Sequence, residues 1–312
     1  MNLTGRDPKK PSVDHVFDTA PATHQGLLGP SSANTYPLGF EENHSLRSDF
    51  IRDLTLRQLE RDGPAGNMKA TAAESTTLIP KTLVRFWHDV HNIPPDVREC
   101  LDSWDPLRAE GFVFRMFGDA SAAAYIGERY GPRERAAFAR CEHPAMRCDF
   151  LRLCFIFAEG GLYVDADDVL VGNGWRSIFR DGALKVQPLC YDVPAGGMMS
   201  ATDLRRTDLP RNGRIFYVNN NPIAAPSGHP VLGRALARAT DRLLGDEPAP
   251  EIQSTTGPGN LSAVLAAHAY ELEFNDAEPD FELLLDWEST AEPCWNLGYR
   301  SDARNWRNVY LR

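Results

Sequence analysis

Apolar residues recur in short runs and at helical spacing along the chain from about residue 79 onwards. Apolar runs of about four to eight residues are typical of buried strands, and apolar positions at i, i+3 and i+4 are typical of helices. The pattern predicts strands at 83–87, 112–117, 183–189, 215–218 and 223–224. It predicts helices at 96–104, 121–140 (broken at a Gly-Pro pair), 145–158, 230–244 and 260–273. Strands that alternate with helices indicate an α/β fold with a mainly parallel, Rossmann-type sheet flanked by helices.

Residues 1–75 are polar and rich in Pro, Gly, Ser and Thr, with one exception. Residues 45–61 carry apolar side chains at near-helical spacing, with charges between them: Leu46, Phe50, Ile51, Leu54 and Leu59. This segment predicts one amphipathic helix, which could pack on the core, cover a functional site or form a dimer contact. We therefore divide the chain into an N-terminal extension, 1–75, and one ordered domain, 76–312.

The charge of the chain narrows the classes of function. With 312 residues, of which 42% are hydrophobic and 24% charged, the chain is long enough to bury a sizeable globular core. Its formal net charge is −10. Proteins that bind nucleic acids present basic stripes to the phosphates, so we expect no nucleic-acid partner.

The six cysteines are scattered, without a Cys-x-x-Cys pair or a regular framework of spacings. This usage is typical of a reducing compartment and predicts no zinc site. The first 18 residues contain no apolar stretch typical of a signal peptide, and the most apolar window, 151–164, is too short to span a bilayer. The sequence therefore predicts a soluble, cytoplasmic protein with no membrane span.

An acidic motif, Asp165-Ala166-Asp167-Asp168, directly follows the apolar run 155–164. Two carboxylates at i and i+2 after a buried strand point the same way from the edge of a sheet. Mg²⁺ and Mn²⁺ prefer oxygen ligands and often share one or two carboxylates with the phosphates of a nucleotide. The motif therefore predicts a metal-diphosphate site, and a solvated acidic turn is the alternative.

Upstream of this motif, Asp149 and Arg152 stand three residues apart and share one face of a predicted apolar helix. Two such charges should not point into a core unless they pair with each other or with a ligand. An intrahelical ion pair is one interpretation. The other is a carboxylate that binds sugar hydroxyls beside a guanidinium that reaches hydroxyls or a phosphate. Gly160 and Gly161, which end the predicted helix, would bring this pair and the acidic motif to the same edge of the sheet, where ligands bind.

Taken together, the segments 145–152 (AMRCDFLR) and 159–167 (EGGLYVDAD) resemble the sugar-binding region of glycosyltransferase family 32. They are also similar to the catalytic core of the large clostridial glucosylating toxins. Both groups have an Asp-x-x-Arg helix followed by Gly-Gly-x-Tyr-x-Asp-x-Asp. Residues 79–87, which begin Ile-Pro-Lys and end Phe-Trp, resemble the first strand of the family. The close resemblance covers residues 79–168.

The resemblance implies a GT-A-like fold, a nucleotide-sugar donor, a Mn²⁺ or Mg²⁺ ion and retention of the anomeric configuration. By position, Asp149 and Arg152 would hold the donor sugar. Asp165 would contact the ribose or the water shell of the metal, and Asp167 would ligate the metal directly. The cation would neutralise the charge that develops on the leaving diphosphate. These four residues are the candidate catalytic residues.

Five further positions are candidates for binding. Trp87 would stack on or flank the base, unless it only closes the first strand, and Tyr163 within the motif is a further substrate-binding candidate. Gly257 opens a helix whose N-terminus could face a phosphate, or it forms only a turn. Asn305 loosely meets the C-terminal pattern of the family and is the candidate third metal ligand. His229 could line the acceptor side or cap the helix that follows it.

The chain departs from the family at Cys148 and in the C-terminal pattern, which Asn305-Trp306 or Asn308 meets only loosely. Cys148 stands where the family usually has serine. No nucleophile for a double displacement is evident, which favours a front-face mechanism in which the leaving diphosphate assists the acceptor.

Two other functions remain open. Residues 165–170 also fit the motif of haloacid-dehalogenase-type phosphohydrolases, in which Asp165 would be the nucleophile. A domain that binds a nucleotide or glycan without turnover is the second. For the glycosyltransferase, a UDP-sugar is the favoured donor, although family 32 also contains GDP-mannose users. The acceptor could be a glycan, a small molecule or a protein. A bacterial cytosolic enzyme and an effector secreted into a host both fit, and the N-terminal helix could support an oligomer.

Overall fold

A computed structural model describes residues 39–40, 43–62, 77–206, 208, 210–245, 251–305 and 308. Its helices are α1 (His44–Asp62), α2 (Pro95–Asp102), α3 (Asp119–Arg129), α4 (Pro132–Ala139), α5 (Pro144–Glu159), α6 (Trp175–Ile178), α7 (Ala201–Leu204), α8 (Pro230–Leu244), α9 (Ile252–Thr255) and α10 (Pro258–Phe274). Its strands are β1 (Thr82–Phe86), β2 (Val113–Phe117), β3 (Gly161–Tyr163), β4 (Asp168–Leu170), β5 (Leu184–Asp192), β6 (Gly197–Met198), β7 (Arg214–Ala225), β8 (Phe281–Leu283) and β9 (Ala291–Pro293). Short 3₁₀ helices cover Asp105–Arg108, Trp287–Ser289 and Gly298–Ser301.

The central sheet has the strand order β2-β1-β3-β7-β5-β6, and β8 also pairs with β5. β1 is parallel to β2 and β3, and β5 is parallel to β8. β7 is antiparallel to both β3 and β5, and β6 is antiparallel to β5. Within the described ranges, five strands of this sheet (β1, β2, β3, β5 and β8) therefore run in one direction. The predicted α/β class, with a mainly parallel sheet flanked by helices, is confirmed.

Both faces of the sheet are covered. Successive side chains of a strand point to opposite faces. In β3, Tyr163 packs into the larger apolar cluster, which includes residues of α1, α3, α4, α5, α8 and α10. Its neighbour Leu162 packs into a second cluster with Trp104 and Trp287. Burial on both faces explains why these strands appear in the sequence as nearly continuous apolar runs.

Helix α5 begins and ends on local signals. Nδ1 of His143 accepts the N–H of Ala145 at 3.0 Å, and a proline occupies the first helical position. At the other end, Gly160 and Gly161 have φ values of 72° and 124°. A Cβ on Gly161 would lie 2.7 Å from the carbonyl oxygen of Thr82. Glycine is therefore required where the chain passes from α5 directly into β3.

Helix α1 packs on the main body of the protein. Phe50, Ile51 and Leu54 are buried in the larger apolar cluster. Oγ of Ser48 accepts the N–H of Phe216, in β7, at 2.9 Å. Of the three roles open to the predicted helix, core packing is the one that these contacts show. The division of the chain at residue 75 stays a prediction, and residues 1–38 lie outside the described residues.

Two regions differ from the predicted pattern. β7 is one continuous strand, whereas the polar run 219–221 predicts an interruption between two shorter strands. The polar side chains are accommodated because they hydrogen-bond at the site described below. The short strands β4 and β9 pair separately from the main sheet, and the sequence does not predict them. Strands of three residues are too short to show a period of two.

No helix in the described ranges is both long enough and apolar enough to cross a membrane. The cytoplasmic location stays a prediction.

Candidate functional site

The acidic motif, residues 165–168, lies just beyond the carboxyl end of β3. In open α/β sheets, ligands bind at this edge. Side chains of α5, of the adjacent strand β7 and of the turn before α10 converge on the motif through the hydrogen bonds described below. The structure therefore brings together the two sequence segments that predict the site.

The inner pair, Asp149 and Arg152 on α5, is almost fully buried, with side chains 9% and 4% exposed. Nη2 of Arg152 lies 3.2 Å from Oδ1 of Asp149 and 2.9 Å from Oδ1 of Asp165. Nη1 of Arg152 donates to the carbonyl oxygen of Asn220 at 2.5 Å. The intrahelical ion pair is thus present, and Arg152 extends it to the acidic motif. Nε of Arg152 is buried without a hydrogen-bond partner among the described residues.

Both carboxylate oxygens of Asp149 accept hydrogen bonds. Nδ2 of Asn220 donates to Oδ1 at 2.8 Å, and Oγ1 of Thr256 donates to Oδ2 at 3.2 Å. Burial raises the pKa of Asp149 to about 6, although Arg152 and these donors oppose the rise. Asp149 is therefore an oriented, buried acceptor that is mostly ionised at neutral pH.

Asp165 is held from β3 and α5. The hydroxyl of Tyr163 donates to its Oδ1 at 3.0 Å and also lies 2.7 Å from Sγ of Cys148. The guanidinium of Arg152 lies 4.2 Å from the centre of the Tyr163 ring. Because Tyr163 is fully buried, its role in this structure is to position Asp165. Its contact with a substrate stays a prediction. Burial raises the pKa of Cys148 to about 12, so this thiol is protonated at neutral pH.

Asn221 joins the two ends of the acidic motif. Its Oδ1 accepts the backbone N–H of Asp165 at 3.0 Å, and its Nδ2 donates to Oδ2 of Asp168 at 3.0 Å. Nε1 of Trp104 donates to the carbonyl oxygen of Asp168 at 2.9 Å. Burial, and then the charges of its two acidic neighbours, raise the pKa of Asp168. These contacts fix the backbone that carries the partly buried carboxylates of Asp165 and Asp167.

Asp167 is held by a C-terminal segment that we call the outer turn, the 3₁₀ helix Gly298–Ser301. The hydroxyl of Tyr299 and Nη2 of Arg300 each donate to Oδ2 of Asp167 at 2.5 Å. The backbone N–H of Cys294 donates to the carbonyl oxygen of Asp167 at 2.8 Å. Burial and the nearby Asp165 raise the pKa of Asp167, while Arg300 opposes the rise.

The acidic motif retains oxygen atoms for a cation. Oδ2 of Asp165 and Oδ1 of Asp167 accept no hydrogen bond from the residues that the structure describes. The same part of the chain contains no cluster of three or more His, Cys, Asp or Glu side chains able to hold a metal. Mg²⁺ in nucleotide sites typically uses one or two carboxylates and completes its shell with phosphates and water. The residues present therefore fit an ion shared with a diphosphate.

Trp87 follows β1 and is only 7% exposed. Its ring meets the edge of Tyr299, with 5.2 Å between centroids, and packs near Val97 and Leu297. Its Nε1 is buried without a hydrogen-bond partner among the described residues. A buried N–H without a hydrogen-bond partner is uncommon in proteins. Base stacking by Trp87 stays a prediction.

Three other candidates have definite places. Gly257 precedes α10, directly after Thr256, and a Cβ there would lie 3.1 Å from the backbone of Gln253. Nδ2 of Asn305 donates to the carbonyl oxygen of Arg300 at 2.8 Å, which supports the outer turn. Their roles in phosphate and metal binding stay predictions. Nδ1 of His229 accepts a backbone N–H at the start of α8, so the capping interpretation of this residue is confirmed.

The sequence pattern does not predict the contacts that five residues make in this site: Asn220, Asn221, Thr256, Tyr299 and Arg300. The polar run 219–221 in an otherwise apolar segment is the one sequence signal, because amides within a buried strand need partners. The contacts of the outer turn join residues that are separated by 132 and 133 positions in the sequence, and no local pattern predicts them.

Comparisons with known proteins place these observations in context. No protein-family model matches the chain. Over 232 residues the chain is 20% identical to the initiation-specific alpha-1,6-mannosyltransferase of Saccharomyces cerevisiae, a match that covers 65% of this chain and 46% of the yeast protein. The chain thus spans about half the length of that relative. Among solved structures, PaToxG Glycosyltransferase aligns with a TM-score of 0.41 at 16% identity, covering 85% of this chain and 97% of the other. The sequence match supports a relationship to glycosyltransferases, and membership of family 32 stays a prediction.

Proposed function

We propose that the chain is a glycosyltransferase that moves a sugar from a nucleotide-sugar donor to an acceptor. The observation that carries the proposal is the buried inner pair, Asp149 and Arg152, joined to Asp165 at the carboxyl edge of the sheet. Burying these charges costs on the order of several kcal/mol for each ion. A helix face with hydrophobic residues at these two positions would be no less stable. A site that binds hydroxyls and a diphosphate gives this cost a function. The similarity to the yeast mannosyltransferase supports the same class.

Each charged residue has a proposed role. Asp149 and Arg152 hold the donor sugar through its hydroxyls. Asp165 would bind the ribose or the water shell of a Mn²⁺ or Mg²⁺ ion, and Asp167 would ligate the ion through Oδ1, since Tyr299 and Arg300 engage Oδ2. When bound, this ion neutralises charge on the leaving diphosphate. Asn221 holds the backbone that carries both carboxylates.

The proposed reaction retains the anomeric configuration. The bond between the anomeric carbon and the diphosphate oxygen breaks, and the acceptor oxygen bonds to the same face of that carbon. The proton of the acceptor hydroxyl passes to the leaving diphosphate. Arg152 and Asp149 keep the sugar in place during the exchange. Trapping a covalent glycosyl-enzyme adduct would contradict this front-face mechanism.

The finer features remain part of the proposal. A UDP-sugar is the favoured donor, with Trp87 near the base and the N-terminus of α10, at Gly257, near a phosphate. The acceptor is a glycan, a small molecule or a protein. We propose a cytoplasmic enzyme, with delivery as a secreted effector as the alternative.

The phosphohydrolase alternative is less well supported by the contacts. Such enzymes use a lysine near the nucleophilic aspartate. Lys185, the one lysine after the motif in the sequence, is fully buried, and its ammonium group pairs with Asp181 and Glu282 rather than with Asp165. Oδ1 of Asp165 is itself engaged by Arg152 and Tyr163.

The test is a donor panel. Purified protein is incubated with MnCl₂ and a set of UDP- and GDP-sugars, and release of the nucleotide is followed. We expect metal-dependent release from one donor and a loss of at least about 10³-fold in Asp167→Ala. A generic phosphatase substrate in the same plate tests the alternative. Turnover of that substrate alone would contradict the proposal, and nucleotide binding without turnover would favour a binding domain.

A further inference from the structure

Trp295 differs from the other tryptophans that the structure describes. It is 54% exposed, whereas Trp87, Trp104, Trp175 and Trp287 are each at most 7% exposed. Single exposed apolar residues are common on protein surfaces, so exposure alone assigns no role. The position of Trp295 beside the acidic motif is what gives its exposure meaning.

Two contacts tie Trp295 to Asp167. The residue before it, Cys294, donates its backbone N–H to the carbonyl oxygen of Asp167 at 2.8 Å. The guanidinium carbon of Arg300 lies 4.5 Å from the centre of the Trp295 ring, and Nη2 of Arg300 donates to Oδ2 of Asp167 at 2.5 Å. With C–N bonds of about 1.3 Å, these contacts place the ring centre within about 8 Å of Oδ2 of Asp167.

The neighbour of Trp295 supplies a polar group. Asn296 directly follows Trp295 and is exposed. An aromatic face beside a polar side chain suits an amphipathic ligand, because the face contributes contact area and the amide fixes orientation. A sugar ring is such a ligand, since its C–H face is slightly positive and meets the negative face of the aromatic ring.

We propose that Trp295 and Asn296 form the acceptor subsite and that the acceptor is a glycan whose terminal sugar stacks on Trp295. The inference rests on the proposed function and selects one of its three acceptor classes. A sugar on this ring would present a hydroxyl toward the acidic motif, where the donor sugar is held by the buried inner pair. The acceptor must enter from solvent, and the exposed ring of Trp295 lies within about 8 Å of Asp167.

The experiment measures glycan binding directly. Fluorescently labelled protein is applied to an array of oligosaccharides ending in mannose, glucose, galactose or N-acetylglucosamine, with MnCl₂ and either UDP or GDP present. We expect the wild type to bind one class of these glycans. Trp295→Ala should bind it at least about tenfold more weakly, and Trp295→Phe should recover most of the binding. Asn296→Ala should have a smaller effect.

A matched control is Phe274→Ala. Phe274 is 67% exposed and ends α10, at the far end from Thr256, about 24 Å along the helix axis. This variant should bind the array like the wild type. Thermal melts of each variant separate lost binding from lost folding.

Several results would overturn the inference. They are absence of wild-type binding to every glycan, equal binding by Trp295→Ala, or weaker UDP or GDP binding by Trp295→Ala with unchanged glycan binding. The last result would assign the ring to the nucleotide base. Nucleotide release tests the proposed function independently of the subsite. The proposed function is contradicted if the wild type releases no nucleotide from any donor while its glycan binding persists.

Discussion

The inner pair takes its partners from α5, β7, the turn before α10 and Asp165 of the acidic motif, and almost none of it is exposed. Asp167 instead takes its side-chain partners from the outer turn, more than 130 residues further along the chain. The inner half of the site, which is the inner pair with its partners, is thus built into the packed core. The outer half, which is Asp167 with the outer turn, depends on one short segment lying against a loop. Core positions hold a geometry by packing, whereas loop contacts can exchange with a ligand. We infer that the inner half recognises the sugar with a preformed geometry and that the outer half responds to the diphosphate and its cation.

The largest effect on folding should come from the inner half. Arg152→Met leaves the buried carboxylate of Asp149 without its cation, so we expect the free energy of unfolding at neutral pH to fall by about 3–5 kcal/mol. Urea denaturation measures this change. Arg147→Met is the matched control on the same helix, because Arg147 pairs with Asp119 at 2.9 Å in a partly exposed position. Because Nη1 of Arg147 also donates to the carbonyl oxygens of Cys141 and Glu142, that variant should lose about 1–2 kcal/mol. Equal losses of stability in the two variants would show that the inner pair contributes no more to folding than a partly exposed ion pair does.

A pH series tests the burial of Asp149. Its folded-state pKa is raised from 3.8 to about 6, so the folded protein binds this proton more tightly than the unfolded chain. The contribution of Asp149 to the free energy of unfolding therefore falls as pH rises through this window, by roughly 3 kcal/mol in all. The Asp149→Asn variant has no carboxyl group at this position and therefore lacks this pH-dependent contribution. The raised pKa values of Asp167 and Asp168 act in the same direction in both proteins and cancel in the comparison.

Urea denaturation of the wild type and Asp149→Asn at several pH values between about 4 and 7 gives the difference. The variant should gain stability relative to the wild type as pH rises. Parallel pH profiles would show that this carboxyl group has an ordinary pKa.

Asn221 connects the two halves, and its removal should have an intermediate effect. Asn221→Ala leaves the N–H of Asp165 and the carboxyl group of Asp168 without partners, which should cost about 1–3 kcal/mol of stability. Displacement of the two catalytic carboxylates should lower donor turnover about tenfold or more. Asn275→Ala, at the exposed end of α10, is the control and should change neither quantity. An unchanged turnover in Asn221→Ala would show that the motif is held without this amide.

The smallest effect should come from the outer turn. Tyr299→Phe removes one of two donors to Oδ2 of Asp167 and leaves Arg300 in place. We expect about 1 kcal/mol or less in stability and a change in donor turnover well below tenfold. Steady-state nucleotide release checks this, with Tyr217→Phe on β7 as the control for loss of an exposed hydroxyl. A loss as large as that of Asp167→Ala would mean that the outer turn is as integral to the site as the inner pair.

The elements of the inner half could be predicted because their signals are local. The spacing of Asp149 and Arg152, the glycine pair after α5 and the carboxylates beyond β3 each lie within one element or its end. Their convergence follows from the rule that ligands bind at the carboxyl edge of such a sheet. The same reasoning predicts most helices and strands, whose apolar periods extend over several residues.

The partners of these residues could not be predicted in the same way. The amides of Asn220 and Asn221 interrupt an apolar pattern and suggest a loop, but tertiary hydrogen bonds keep them within β7. Tyr299 and Arg300 reach Asp167 only through the packing of the C-terminal segment, and the antiparallel direction of β7 is a property of the whole sheet. Contacts between distant segments leave no periodic trace in one sequence.

The most direct test of the division between the halves is calorimetric titration, with MnCl₂ present, of the donor found in the panel and of its nucleoside diphosphate. Wild type, Asp149→Asn and Asp167→Ala are compared. We predict that Asp149→Asn weakens binding of the nucleotide-sugar about tenfold and leaves binding of the nucleoside diphosphate unchanged. Asp167→Ala should weaken both. Equal weakening of both ligands by Asp149→Asn, or no effect of either substitution, would contradict the account.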